Sequence, residues 1–208
     1  FGQGMAVNSL APERAVPFAQ VAAAAFDEEL LPPGTEAGLD FSGSYTLADN
    51  PYAFGAHVAV MEVDRVTGEA KILRYVAVHD AGRIINPKLF EGQVQGGIVQ
   101  GIGQALMEGM AYTEDGQPQT ASLMDYALPT AEDIPDLELD TMETPSPLTP
   151  YGVKGIGELP TVAAPVVIAN AVMDALSGTG VRHVDTPLTP EKLWLAMQGK
   201  SPGQSDAR

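Results

Sequence analysis

The chain contains no cysteine. Disulfides, thiolate metal sites and iron–sulfur ligation are therefore excluded from its own side chains. Histidine is scarce as well: His57, His79 and His183 stand too far apart to form a local metal-ligand motif. Positive charge is in short supply, with 11 Lys and Arg against 27 Asp and Glu and a net charge of −16. Nucleic acids and anionic membranes are bound through cationic surface, so neither is an expected partner. Aromatic residues make up 6% of the chain, too few for a base-stacking surface. No apolar run reaches the ~18 residues of a membrane span. The longest, over 162–173, is interrupted by Pro165 and Asn170. An initiator Met and a charged-then-apolar leader are also missing. The expectation is a processed chain, a fragment or a separately encoded subunit, with a cytoplasmic location.

What is present suits a globular protein. Its 208 residues, 45% of them apolar, allow one sizeable core or two small ones. A weak strand is expected over 1–10. A helix opened at Val16, Pro17 and Phe18 is expected to run to Leu31, where Pro32, Pro33 and Gly34 stop it. A further strand is expected over 39–47. The strongest β signal is a hairpin of 57–64 and 70–78 with Gly68 in its turn. His79 and Asp80 read as a polar strand end. Asn86 and Pro87 are a capping residue and a first-turn proline for a helix over 88–111. A half-buried strand follows over 137–143, then a stiff Pro-rich segment over 144–150. An apolar helix over 161–176 and a short one starting at Thr189 and Pro190 complete the chain. The class is α+β, over 1–200, divisible into lobes of about 1–125 and 126–200. Residues 201–208 read as a disordered tail.

Two stretches stand apart. The helix over 88–111 contains Gly92, Gly96, Gly97, Gly101, Gly103 and Gly109, each costing about 1 kcal/mol against Ala in a helix interior. At 100° per residue, Val94, Ile98, Ile102 and Ala105 form an apolar face. Gly92, Gly96 and Gly103 make a strip, and Gln93, Gly97, Gln100 and Gln104 fall on a narrow arc of their own. The strip lets a backbone or flat ligand come close, and the arc offers uncharged donors and acceptors. A tightly packed helix with a polar outer face would carry the same pattern. The second stretch is YGVKGIGE over 151–158, with three glycines, Lys154 and Glu158 just before the apolar helix. It reads either as a Gly-rich connection or as a site whose carboxylate lies in the field of unpaired helix N–H groups. No phosphate-loop pattern, dinucleotide fingerprint or G-x-S-x-G elbow is present.

Four motifs occur in order: DAGRIINP (80–87), EGQVQGGIVQGIG (91–103), MDYALP (124–129) and GVKGIGE (152–158). Together they resemble the xanthine dehydrogenase and aldehyde oxidase family of molybdenum hydroxylases, and within it the large chain of the aerobic carbon monoxide dehydrogenase type. The resemblance runs from about Val16 to Trp194. It implies the C-terminal part of a molybdopterin-binding subunit. Glu158 would be the catalytic base and Gln93 would lie at the molybdenum centre. Gly96, Gly97, Gln100 and Gly101 would approach the pterin or its dinucleotide extension, and Lys154 and Gly155 would shape the base's loop. The implied cofactor is molybdenum–molybdopterin, as the cytosine dinucleotide, with the metal held by the cofactor's dithiolene and not by this chain. Implied partners are the remainder of the large subunit, a small-molecule substrate, and subunits or domains carrying Fe–S clusters and FAD. The intact enzyme would be a dimer of heterotrimers. The chain alone would be inactive. Two other classes remain open: a non-catalytic scaffold retaining the fold, and a free-standing nucleotide-binding domain. The scaffold reading expects Gln93 and Glu158 to face solvent or be buried in packing, well apart from each other, whereas the enzyme reading expects them to converge on one cleft.

Overall fold

The computed structural model describes residues 4–8, 10–40, 42–47 and 49–200. The tail expected over 201–208 lies outside the described residues, as does part of the strand expected over 1–10. By contacts the chain divides into two compact units, Phe1–Thr46 and Leu47–Arg208.

In the first unit, β1 (Met5–Asn8) pairs antiparallel with β2 (Ala11–Pro17). The turn is held by Asn8, whose side-chain oxygen accepts from the Leu10 N–H at 2.9 Å. Helix α1 (Phe18–Ala24) follows Pro17 as expected, but it ends seven residues before Leu31. Asp27 accounts for the early stop. Its carboxylate accepts from the Glu29 N–H at 3.1 Å and offers the backbone an alternative to helix. The strand expected over 39–47 is not formed at any described position. Ser42, Gly43 and Ser44 lack strand propensity, and the two-stranded sheet of this unit provides the stretch with no pairing partner.

The second unit is built on the expected hairpin. β3 (Phe54–Val63) and β4 (Ala70–Asp80) run antiparallel, with Val58 opposite Val76. Asp64 closes the turn by accepting from the N–H groups of Val66 and Thr67. α2 (Pro87–Leu106) starts where Asn86 accepts from the Leu89 N–H at 3.1 Å. It ends five residues before Ala111. The Ala105 carbonyl, which a longer helix would give to Gly109, instead accepts from the Leu188 N–H at 2.7 Å. β5 (Leu137–Met142) then pairs parallel to β4, giving the order β3-β4-β5. α3 (Leu159–Ala175) starts two residues earlier than expected because Pro160 fits its first turn. Thr189 caps α4 (Pro190–Met197). The architecture is α+β, with helices packed on a mixed sheet.

The apolar face expected of α2 is the core. Val94, Ile98, Ile102 and Ala105 are buried against Tyr75 and Ala77 of β4 and Ala164 and Ile168 of α3. Two glycines set how closely the helices approach. A Cβ at Gly101 would lie 2.4 Å from Ala164 Cβ, and one at Gly97 would lie 2.9 Å from Pro160 Cβ. The α2–α3 contact therefore requires glycine at both positions. A second cluster of Val172, Leu176, Leu188 and Leu193 seals the other end of α3. Among the described residues no helix is long and apolar enough to cross a membrane.

Candidate functional site

The site begins at the end of β4. Asp80 is only 1% exposed. Its Oδ1 accepts from the Gly82 N–H at 2.8 Å and from Lys154 Nζ at 3.0 Å. Its Oδ2 accepts from the N–H and hydroxyl of Thr144. Burial pushes the carboxyl up. The bonds from Thr144, Gly82 and Lys154 outweigh that and hold it well below the usual carboxylate range. Lys154 also donates to Thr144 Oγ1 at 2.7 Å and lies 4.7 Å from the centre of the Phe54 ring. The Lys154 ammonium is thus committed to Asp80 and Thr144, a pairing that the sequence alone did not suggest.

Backbone bonds strap the same loop to the strand end. Lys154 N–H donates to Ala81 O at 2.8 Å, and Arg83 N–H donates to Gly152 O at 3.1 Å. Gly82 takes φ of 64°, and a Cβ there would lie 2.1 Å from Gly152 O, so this crossing admits only glycine.

Beyond Lys154 the loop reaches α2. Gln93 Nε2 donates to Gly157 O at 2.8 Å. The Thr161 hydroxyl, in the first turn of α3, lies 3.1 Å from Gly97 O and 3.4 Å from Gln100 Oε1. Glu158 is the N-cap residue of α3, exposed, and its carboxylate makes no capping bond. An open cleft of about 370 Å³ is lined by Ile84, Phe90, Gln93, Lys154, Ile156 and Gly157 among others; its wall ends at Gly157, one residue short of Glu158.

The proposed cofactor contacts fall into two groups. Gly96 and Gly155 face open space, as do Gly92 and Gly157, since a Cβ at any of them would meet nothing within 4 Å. Gly97 and Gly101 lie beneath α3, which fills the room beside them. Gln93, Gln100 and the residues leading to Glu158 converge on the line where α2 meets the start of α3. Among the described residues no group of three or more His, Cys, Asp or Glu side chains is placed to hold a metal ion.

Sequence reasoning assigned nothing to Thr144 and Thr161, and read Asp80 only as a polar strand end. The one available signal for Asp80 was its place at the head of the DAGRIINP motif. A further polar group lies beneath the sheet's covered face. His57 Nδ1 is 2.7 Å from Tyr75 OH, and His57 Nε2 is 2.8 Å from His79 Nε2. Burial, with His79 alongside, pushes His57 down to about 4, and burial also lowers His79. Among the described residues, His79 Nδ1 is buried without a partner.

The family model for the molybdopterin cofactor-binding domain matches residues 1–135. The chain is 42% identical, over 91% of its length, to the nicotine 6-hydroxylase large subunit of Paenarthrobacter nicotinovorans, covering 23% of that protein. It is 39% identical, over 80% of its length, to the carbon monoxide dehydrogenase large chain of Hydrogenophaga pseudoflava, covering 21% of it. The crystal structure of quinoline 2-oxidoreductase from Pseudomonas putida 86 superposes with a TM-score of 0.88 at 40% identity, over 95% of this chain and 25% of that one. The chain therefore belongs to the molybdopterin cofactor-binding domain family, within the broad group of molybdenum hydroxylases. It spans under a quarter of the length of these curated relatives.

Proposed function

We propose that the line where α2 meets the start of α3 is this chain's share of a molybdenum hydroxylase active site, with Glu158 as the general base. The observation that carries the reading is the bond from Gln93 to Gly157 O, which brings the glutamine arc of α2 beside the residue preceding Glu158.

The open glycines fit a flat group lying against the protein. Gly96 is one helical turn from Gln93, and Gly155 and Gly157 flank the same loop, all without neighbours where a Cβ would stand. Gln93, Gly96, Gln100 and Gly155 would hold the molybdenum–molybdopterin group, in its cytosine dinucleotide form. Gly97 and Gly101 would contribute by letting α3 sit close. When bound, the cofactor supplies two-electron redox chemistry and oxygen transfer. Glu158 stands at the N-cap position of α3 with its carboxylate free of a capping bond and open to accept a proton. Lys154, paired with Asp80, leaves that carboxylate without a competing ion pair. The reaction class is oxidative hydroxylation at a small-molecule carbon, or oxidation of carbon monoxide. Electrons would leave to Fe–S and FAD partners, and the remainder of a large subunit would supply the other walls.

Glu158→Gln in the full-length enzyme is the test. Molybdenum content should stay at the wild-type level while turnover falls by about 10²–10⁴, the usual contribution of a positioned base. An unchanged rate would refute the assignment.

A further inference from the structure

Asp80 touches neither the glutamine arc nor Glu158, yet its carboxylate reaches the start of the base's loop directly through Lys154 and indirectly through Thr144, which also bonds Lys154. Two bonds come from Thr144, one from Gly82 and one from Lys154. Asp80 is buried and Lys154 partly so, with side chains 1% and 9% exposed, so the pair is held in a fixed geometry and is poorly screened by solvent. From Lys154 only Gly155, Ile156 and Gly157 separate this anchor from Glu158. The second anchor is the Gln93 bond at Gly157 O, and the third is the start of α3. Gly155 and Gly157 have open space where a Cβ would stand, and Ile156 between them packs against the core. The direction in which Glu158 leaves the loop therefore depends on Ile156 and on the fixed ends.

We propose that Asp80 is a positioning residue for Glu158, acting through Lys154 and Thr144 to fix the loop over 152–157. The proposal rests on the reading of Glu158 as the base. Replacing the carboxylate by an amide leaves the Lys154 ammonium buried beside a neutral partner. The ammonium then moves toward water and the loop moves with it. A displacement near 1 Å of a reacting group costs on the order of a hundredfold in rate without a matching loss of substrate binding.

The experiment compares Asp80→Asn, Glu158→Gln and the double variant in the full-length enzyme, with amide hydrogen exchange across 152–157 and across β4. Asp80→Asn should lower kcat roughly ten- to hundredfold. It should change KM by less than about twofold and speed exchange across 152–157 while β4 stays protected. In the Glu158→Gln background it should cause no further loss, because a residue acting through Glu158 has nothing left to position. Wild-type turnover and exchange in Asp80→Asn would overturn the proposal. An equal further loss in the double variant would overturn it too, since Asp80 would then act independently of Glu158. If exchange also rises through β4, Thr144→Val decides, because it keeps the ion pair but removes the hydroxyl from both Asp80 and Lys154. Lower turnover with faster exchange confined to 152–157 in that variant supports the positioning role, and any other result overturns it. Full turnover in Glu158→Gln alone refutes the base reading instead, whatever Asp80→Asn does.

Discussion

Gln93 on α2 donates from Nε2 to the carbonyl oxygen of Gly157 at 2.8 Å, so the two glycine-rich stretches of the chain meet directly. The contact explains why α2 carries glutamine where an acidic chain would more readily place Glu. A carboxylate at 93 would face the lone pairs of Gly157 O and lie near Glu158, whereas an amide can donate.

Removing the amide should therefore loosen the base's loop without harming the fold. Gln93 is exposed, so Gln93→Ala leaves no buried group unsatisfied. A neutral hydrogen bond contributes about 1 kcal/mol. Turnover of the full-length enzyme should fall at least about fivefold, with the urea midpoint close to wild type. Steady-state kinetics and denaturation of the same preparation check both halves.

Gly101 and Gly96 should respond in opposite directions to the same change. At Gly101 a methyl group would lie 2.4 Å from Ala164 Cβ, so Gly101→Ala must push α3 away from α2. Such overpacking costs about 1–3 kcal/mol. At Gly96 a methyl group meets nothing within 4 Å. Gly96→Ala should stabilise the cofactor-free chain by up to about 1 kcal/mol through helix propensity. It should also lower cofactor loading of the full-length enzyme if the pterin approaches that surface. Urea titrations separate the two variants, and elemental molybdenum analysis reads the second effect.

The same helix shows what was legible before the structure and what was not. Its apolar face at Val94, Ile98, Ile102 and Ala105 follows from a 3.6-residue period and is the observed core. The period cannot say that Gly97 and Gly101 receive α3, because that depends on a segment about 60 residues further along the chain. Asp80 was hidden for the same reason. A carboxylate at a strand end looks solvated until Thr144 and Lys154 are brought to it across 64 and 74 residues. The strand expected over 39–47 failed differently. Its aromatics suited a pleated surface, but a strand needs a neighbour, and propensity does not report whether one exists. The loop over 152–158 was marked by composition alone. Its connection to Gln93 came from the fold.

His57 and His79 give the chain a predictable acid limit. With Nε2 of one 2.8 Å from Nε2 of the other, one nitrogen must donate and the other accept. The Tyr75 hydroxyl, 2.7 Å from His57 Nδ1, can donate or accept, so it serves either neutral tautomer of His57. His57 titrates at about 4 in the fold against 6.5 in the open chain, so the unfolded state binds the extra proton first. The stabilisation from the neutral ring is complete above pH 6.5 and is lost as the pH falls toward 4. His79 is lowered in the same sense and adds to the slope. Asp80, held below the carboxylate range, contributes only further down, as the pH falls below about 4. Urea midpoints of the chain between pH 7 and pH 4 should fall steadily, and His57→Gln should flatten that part of the curve. A midpoint that stays level from pH 7 to pH 4 in the unmodified chain would show that the histidine pair is not held neutral by the fold.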